Sequence, residues 1–180
     1  MTPAPDGVHI ALVGLPGSGK TTTGRRVAAR LDRPFLDFDE EIERREGHSV
    51  AEIFRTGGEE RFRALELSLS EELAALPAMV LSPGGGWISR PAALASLRAR
   101  TRIIWLWVSA EVAVARMGRN VRLRPLLAGG DPVSELKRMA TEREASYALA
   151  DAVINTELLT RQEVTDEIVR LAALWSGGVG

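Results

Sequence analysis

Gly14-Leu15-Pro16-Gly17-Ser18-Gly19-Lys20-Thr21 is a complete G-x-x-x-x-G-K-[ST] signature. Its surroundings decide the fold. The apolar run Val8–Val13 stops at the first glycine and reads as a buried strand. Lys20–Leu31 carries Val27, Ala28 and Leu31 at helical spacing, so a helix follows. Strand, glycine loop and helix in that order make a cradle for phosphate. The glycines let backbone N–H groups turn inward on phosphate oxygens, and the helix aims its positive end at the same anion. Gly14, Pro16, Gly17, Ser18, Gly19, Lys20, Thr21 and Thr22 are therefore candidate nucleotide-binding residues. Lys20 is placed to reach the β- and γ-phosphates, and the Thr21 hydroxyl to bind Mg²⁺. A turn that merely joins strand to helix needs no such full pattern. Composition sharpens the point: of 23 basic residues, all but Lys20 and Lys137 are arginine. A compact ammonium differs from a planar guanidinium, and a lysine kept in such a chain marks a place where arginine does not serve.

Outward from the loop, apolar strands and amphipathic helices alternate. Pro34–Leu36, Ala78–Leu81, Ile103–Val108 and Ala152–Ile154 read as further strands. Ser49-Val50-Ala51-Glu52 is a capping box that opens a helix through Arg55. Glu59–Leu76 places Phe62, Leu65, Leu69 and Leu73 at spacings of three and four, the mark of a long amphipathic helix. Pro91–Arg98 follows Ser89 as N-cap, Ser109 caps Ala110–Met117, and Val133–Leu149 is a further helix. A second capping box at Thr160–Glu163 opens the last one. The expected fold is α/β: a P-loop three-layer sandwich, with a five-stranded parallel sheet covered by helices on both faces and joined by right-handed crossovers. Residues 1–180 fit one domain, with a mobile lid at about 117–131 and a frayed tail at 176–180.

Composition excludes several function classes. With 23 basic and 24 acidic residues the net charge is -1, so binding to nucleic acid through bulk positive charge is not expected. The chain has no cysteine, hence no disulfide and no thiolate chemistry, and its two histidines cannot build a His-based zinc site. No apolar run approaches the ~18 residues of a membrane span. The polar start Met1–Gly7 is not a signal peptide. A monomeric cytoplasmic protein without a membrane partner is expected.

Four features bear on the acceptor of the phosphate. Asp37-Phe38-Asp39 closes the second strand, and alternation along an extended segment would put both carboxylates on one side, near the cradle. One can hold Mg²⁺ and the other orient or deprotonate an acceptor hydroxyl, while either can cap the helix that follows. Arg63 alone on a helix would be a solvated charge, but Phe54 and Phe62 beside it can wall a small pocket. Gly84-Gly85-Gly86 follows the third strand and offers side-chain-free backbone to the ligand crevice. Arg116, Arg119, Arg122 and Arg124 lie between two helices, and a lid closing on the phosphates accounts for them better than a solvated surface does.

Together these residues resemble the shikimate kinase family, a branch of the P-loop kinases akin to nucleoside monophosphate kinases. The resemblance runs from about Val8 to about Leu171. It rests on GLPGSGKTTTGR, FLDFDEEIE, SVAEIFRTGGEERFRALE, LSPGGG, RNVRLRPLL and EREASYALAD, in the family's order. It implies transfer of the γ-phosphate of ATP to a hydroxyl of shikimate, with Mg²⁺ as cofactor and ATP and shikimate as the partners. It implies catalytic roles for Lys20, Asp39 and Arg124, and a metal site of Thr21 and Asp37. Arg63 and Arg143 would grip the substrate carboxylate, with Asp39, Gly84, Gly85 and Gly86 as further contacts and Phe54, Phe62, Glu66 and Pro16 at the wall. Arg124 would touch both substrates, with Arg122 able to exchange roles with it, and Arg116 would pack on adenine. Trp87, directly after the glycines, would report acceptor binding by fluorescence.

Two rivals remain at this level. One is a P-loop kinase of another small acceptor, such as gluconate or a nucleoside monophosphate. The other is a non-catalytic module that senses ATP or shikimate. Such a module is expected to be fused to a DNA-binding segment and to lack Lys20 or Asp39. Here fewer than ten residues precede the first strand, and both side chains are present.

Overall fold

The computed structural model describes residues 7–123, 127 and 129–176. Five strands form one parallel sheet: β1 (His9–Val13), β2 (Phe35–Asp37), β3 (Val80–Ser82), β4 (Thr101–Trp107) and β5 (Ala152–Asn155). Their spatial order is β2-β3-β1-β4-β5. Among the described residues, seven α-helices connect and cover them: α1 (Lys20–Leu31), α2 (Phe38–Glu46), α3 (Val50–Leu73), α4 (Pro91–Arg98), α5 (Ala110–Met117), α6 (Pro132–Tyr147) and α7 (Arg161–Ser176).

Side-chain alternation along the strands builds the three layers. Ile10 and Leu12 of β1 join Ile104 and Leu106 of β4 in a core closed by Val27 and Ala28 of α1 and Ile168 and Ala172 of α7. Ala11, Val13 and Ile103 point the other way, into a larger core with Phe38, Ile53, Phe62, Leu69, Ala113 and Leu136. Every residue of β1 is buried, which is why its sequence is a run and not an alternation.

Local chemistry sets the boundaries. Ser49 and Glu52 complete the expected capping box, and Thr160 and Glu163 exchange the same pair of bonds. Ser109 Oγ accepts from Val112 N at 3.4 Å, as a cap should. The helix expected to stop at Arg55 instead continues into the long one, and α3 kinks at Gly58, with φ 73° and ψ −179°. A side chain would be strained at that φ. Helix α3 ends at Leu73, short of the expected Leu76, and α6 ends at Tyr147, short of Leu149.

Ser89 is not the N-cap of α4. Trp87–Ser89 forms a 3₁₀ turn, Arg90 occupies the cap position, and Pro91 opens the helix. The segment expected as a lid, 117–131, begins at Met117, the end of α5, and its described part includes a 3₁₀ helix at Gly118–Leu123. Arg124 lies outside the described residues, as do residues 177–180 of the expected tail; Ser176 closes α7.

Candidate active site

The loop between β1 and α1 is built to receive an anion. Gly19 sits at the N-cap of α1 in the left-handed region, φ 89° and ψ 18°, with no side-chain cap. The first turn of α1 holds no acidic residue, whereas that of α2 holds Asp39, Glu40 and Glu41. The positive end of α1 is thus left for a ligand. Lys20 arches back over the loop, and its Nζ donates to Gly14 O at 3.0 Å and Leu15 O at 2.9 Å. A cleft of about 470 Å³ opens here, lined by residues 16–23, Asp37, Asp39, Pro83, Gly84, Gly85 and Arg116 among others. Strands β1, β2 and β3 all end on it, as expected for the carboxyl edge of a parallel sheet.

Asp37 and Asp39 both reach this cleft, though not by extended alternation. Asp37 ends β2 and caps α2: its Oδ1 accepts from Asp39 N at 3.1 Å and Glu40 N at 3.4 Å. Phe38 and Asp39 are therefore already helical. The other oxygen, Asp37 Oδ2, accepts from Thr21 Oγ1 at 2.8 Å. A hydroxyl and a carboxylate side by side at the phosphate loop are hard oxygen donors of the kind Mg²⁺ takes. Among the described residues, no group of three His, Asp or Glu is arranged to hold a metal alone. Two protein oxygens fit an ion that draws its remaining ligands from phosphate and water.

Beyond the glycine turn the acceptor side takes shape. Glu66 is buried, and its Oε2 accepts from Arg63 Nη1 at 2.7 Å. Burial pushes its pKa above the usual carboxylate value, although Arg63 pulls the other way. Glu66 Oε1 finds no hydrogen-bond partner among the described residues. A Cβ on Gly84 would lie 3.2 Å from that oxygen and 3.5 Å from Asp39 Oδ1, so two carboxylates converge on the space beside Gly84. A Cβ on Gly86 would lie 3.6–3.8 Å from Arg63 Nη1, Arg63 Nη2 and Arg143 Nη2. Two guanidiniums thus converge one residue pair along the same turn. Burial alone would lower the pKa of Arg63, but Glu66 and Glu59 hold it above the ordinary arginine value. Phe54 and Phe62 pack with ring centroids 4.9 Å apart, and Arg63 lies over the Phe62 ring at 5.5 Å.

Arg116 marks the opposite end of the cleft. It donates to Thr156 Oγ1 at 2.8 Å and to Thr156 O at 2.7 Å, next to Met117, Leu159 and Val164. Thr156, which follows β5, carried no motif that would single it out. Tyr147 lies within EREASYALAD but has no role assigned there; its hydroxyl donates to Gly85 O at 3.2 Å and accepts from Arg143. Burial raises its pKa above the ordinary tyrosine value, with Arg143 opposing.

Trp87 is fully buried beneath the turn. Its Nε1 donates to Ser70 Oγ at 2.9 Å and its ring meets Phe38 edge-on at 6.2 Å. The glycine loop, Asp37, Asp39, Gly84, Gly85 and Arg116 share one cleft. Arg63, Arg143 and Gly86 meet just behind it.

The model of the family described as shikimate kinase matches residues 16–173 of this chain. A shikimate kinase of Chromohalobacter salexigens is 42% identical over 162 residues, covering 89% of this chain and 89% of that protein. The structure of a shikimate kinase from Acinetobacter baumannii, in complex with shikimate, superposes with a TM-score of 0.87 at 34% identity, over 97% of this chain and 96% of that one. A gluconokinase from Sinorhizobium meliloti shares the fold with a TM-score of 0.60 but only 18% identity, over 94% of this chain and 96% of that one.

Proposed function

The chain belongs to the shikimate kinase family, and on that premise we propose how its own residues carry the reaction. It is an ATP-dependent kinase whose acceptor is shikimate. The product is shikimate 3-phosphate. The observation that best supports this acceptor is the turn Gly84–Gly86: carboxylate oxygens of Asp39 and Glu66 meet at Gly84, and the guanidiniums of Arg63 and Arg143 meet at Gly86. A small ligand lying along this turn is offered acceptors for hydroxyl hydrogens at one end and a cationic fork for a carboxylate at the other.

The nucleotide lies along the phosphate loop, with its base toward Arg116 and Thr156. Gly14, Pro16, Gly17, Ser18, Gly19, Thr21 and Thr22 surround the phosphates. Lys20 swings from the carbonyls of Gly14 and Leu15 to the β- and γ-phosphates. Thr21 and Asp37 hold Mg²⁺, which supplies charge neutralisation to the phosphates when bound. Arg63 and Arg143 fix the shikimate carboxylate, and Phe54 and Phe62 wall the ring. Asp39 accepts the proton of the attacking hydroxyl as its oxygen bonds to the γ-phosphorus. The bond from the γ-phosphorus to the β,γ-bridging oxygen breaks, and ADP leaves with that electron pair. Lys20 and the lid residue Arg124 neutralise charge on the transferring group, with Gly84–Gly86 keeping side chains out of the way. The enzyme acts as a cytoplasmic monomer. No helix of the described residues is long and apolar enough to cross a membrane.

The decisive experiment measures ADP release with shikimate, quinate, gluconate and AMP side by side. Shikimate is expected to give at least a hundredfold higher kcat/KM than the others, ~2.7 kcal/mol of discrimination. A preference for gluconate or AMP would overturn the acceptor assignment.

A further inference from the structure

Arg63 is held by two carboxylates at once. Its Nε and Nη2 both donate to Glu59 Oε1, at 3.1 and 2.9 Å, and its Nη1 donates to Glu66 Oε2 at 2.7 Å. A guanidinium has five N–H bonds in one plane. Three are directed at these carboxylates, so one hydrogen on each Nη remains for the terminal edge. That edge is the one facing Gly86, where Arg143 also arrives.

Glu59 is held in turn. The same oxygen, Oε1, accepts from Arg90 Nη2 at 2.7 Å. Glu59 is the first residue after the kink at Gly58, and Arg90 follows the 3₁₀ turn that continues from the glycines. The pair therefore ties the second half of α3 to the segment bearing Gly84–Gly86. Both side chains are largely exposed, Glu59 at 58% and Arg90 at 41%. Ion pairs at such exposure add little to stability, which leaves geometry as the effect to look for.

The geometry points to Glu59 as a positioning residue for acceptor binding: anchored by Arg90, it sets the rotation of the Arg63 guanidinium so that the terminal edge faces the acceptor carboxylate. This rests on the reading that Arg63 takes that carboxylate. It predicts a sign that simple electrostatics does not. Glu59 is an anion beside a cation that binds an anion, so removing its charge should tighten shikimate binding if only charge mattered. If orientation matters, binding weakens.

The test is steady-state kinetics of Glu59→Ala, Glu59→Gln and Arg90→Ala with shikimate and with its primary-alcohol analogue. Glu59→Ala is expected to raise the KM for shikimate about tenfold, with kcat and the KM for ATP little changed. Glu59→Gln, which keeps one acceptor oxygen, is expected to lie between, and it serves alone should the alanine variant not fold. Arg90→Ala is expected to shift KM the same way by less. The KM for the alcohol should move less than twofold in all three. An unchanged or lower KM for shikimate in the Glu59 variants overturns the proposal, and so does an equal loss of acid and alcohol. Arg63→Ala separates the premise: if it loses acid and alcohol alike, Arg63 does not read the carboxylate at all. If Arg63→Ala is selective while Glu59→Ala is silent, only the positioning role falls.

Discussion

Thr21 Oγ1 and Asp37 Oδ2 are joined by a 2.8 Å hydrogen bond, while the second oxygen of the same carboxylate caps α2. One side chain thus serves the helix and the proposed metal site through different atoms, and substitutions can separate the two. Asp37→Ala leaves the first N–H groups of α2 uncapped and should cost ~1 kcal/mol of stability. Asparagine caps almost as well, so Asp37→Asn should keep the urea midpoint of the wild type yet need several-fold more Mg²⁺ for half-maximal rate. An Asp37→Asn protein whose midpoint falls as far as that of Asp37→Ala would show that the two roles do not separate.

Lys20 lines the cleft only half-buried, and the two carbonyls it holds belong to its own loop and not to the core of another element. Lys20→Ala should therefore unfold at nearly the wild-type temperature while losing at least a thousandfold in kcat, ~4 kcal/mol of transition-state stabilisation. Near-normal turnover in that variant would remove the phosphate loop from the reaction.

The glycines after β3 are expected to respond unequally to alanine. A Cβ on Gly85 would come 2.9 Å from Arg143 Nη1 and 3.1 Å from the backbone oxygen of Gly14, and backbone cannot give way cheaply. Gly85→Ala should lower both stability and kcat. On Gly86 the three atoms nearest the new methyl are guanidinium nitrogens, at 3.6–3.8 Å, which is ordinary contact. Gly86→Ala should fold normally and raise the KM for shikimate by an order of magnitude or more, since the methyl stands where two arginines converge. Thermal melts and separate kcat and KM values check both statements.

Fluorescence should register acceptor binding through two tryptophans. Trp87 packs under the glycine turn and bonds Ser70. Trp105 stacks on Tyr147 at 5.1 Å, and Tyr147 touches Gly85 and Arg143. Trp87→Phe is therefore expected to remove only part of the shikimate-induced change, and Trp105→Phe to remove much of the rest. Titrations of the two single variants and the double variant test this. A full signal in the double variant would move the reporter elsewhere.

His9 makes stability depend on pH. It is buried in β1, with Nε2 3.0 Å from Leu73 O and Nδ1 accepting from Met79 N at 3.1 Å. Both bonds are met only by a neutral ring that donates from Nε2. Desolvation lowers its pKa from the ordinary 6.5, and the charges of Arg100 and Arg33 lower it further, against a bond to Leu73 that raises it. Because the folded pKa lies below the unfolded one, this contribution is fully present above about pH 6.5 and is lost as pH falls through the folded value. The urea midpoint should decline as pH is lowered below about 6.5. His9→Gln should be less stable at neutral pH and should lose the part of that slope that sets in as pH falls below about 6.5.

Much of this was legible in the chain itself, and the failures have local causes. The bounds of α1 follow from the phosphate-loop signature and the spacing of Val27, Ala28 and Leu31. Both capping boxes were visible because their partners are three residues apart. The segment Asp37-Phe38-Asp39 reads as extended in the sequence, but the Asp37 side chain captures the N–H groups ahead of it and starts α2 at Phe38. Ser89 looked like a cap, but its N–H closes a 3₁₀ turn on Gly86 and its hydroxyl is buried. In the candidate site, motif spacing points to residue types, while the links Arg90–Glu59, Tyr147–Gly85 and Arg116–Thr156 join separate elements. No periodicity within a segment encodes such a link.

Strand β1, which leads into the phosphate loop, has a consequence for the order of synthesis. Ile10 is paired on one side with Val80 and on the other with Arg102. On a ribosome, the loop proposed to grip the nucleotide emerges early, yet its supporting strand has no neighbours until β3 and then β4 have been translated. Pairing across such distances along the chain is slow to close. A nascent chain that ends before Val80 exposes an apolar five-residue segment with both edges open, and one that ends before Thr101 still leaves one edge bare, the kind of segment that chaperones hold and that aggregates when they do not. Nucleotide affinity should thus arise abruptly during translation, when β4 docks, and not grow gradually from the first helix onward.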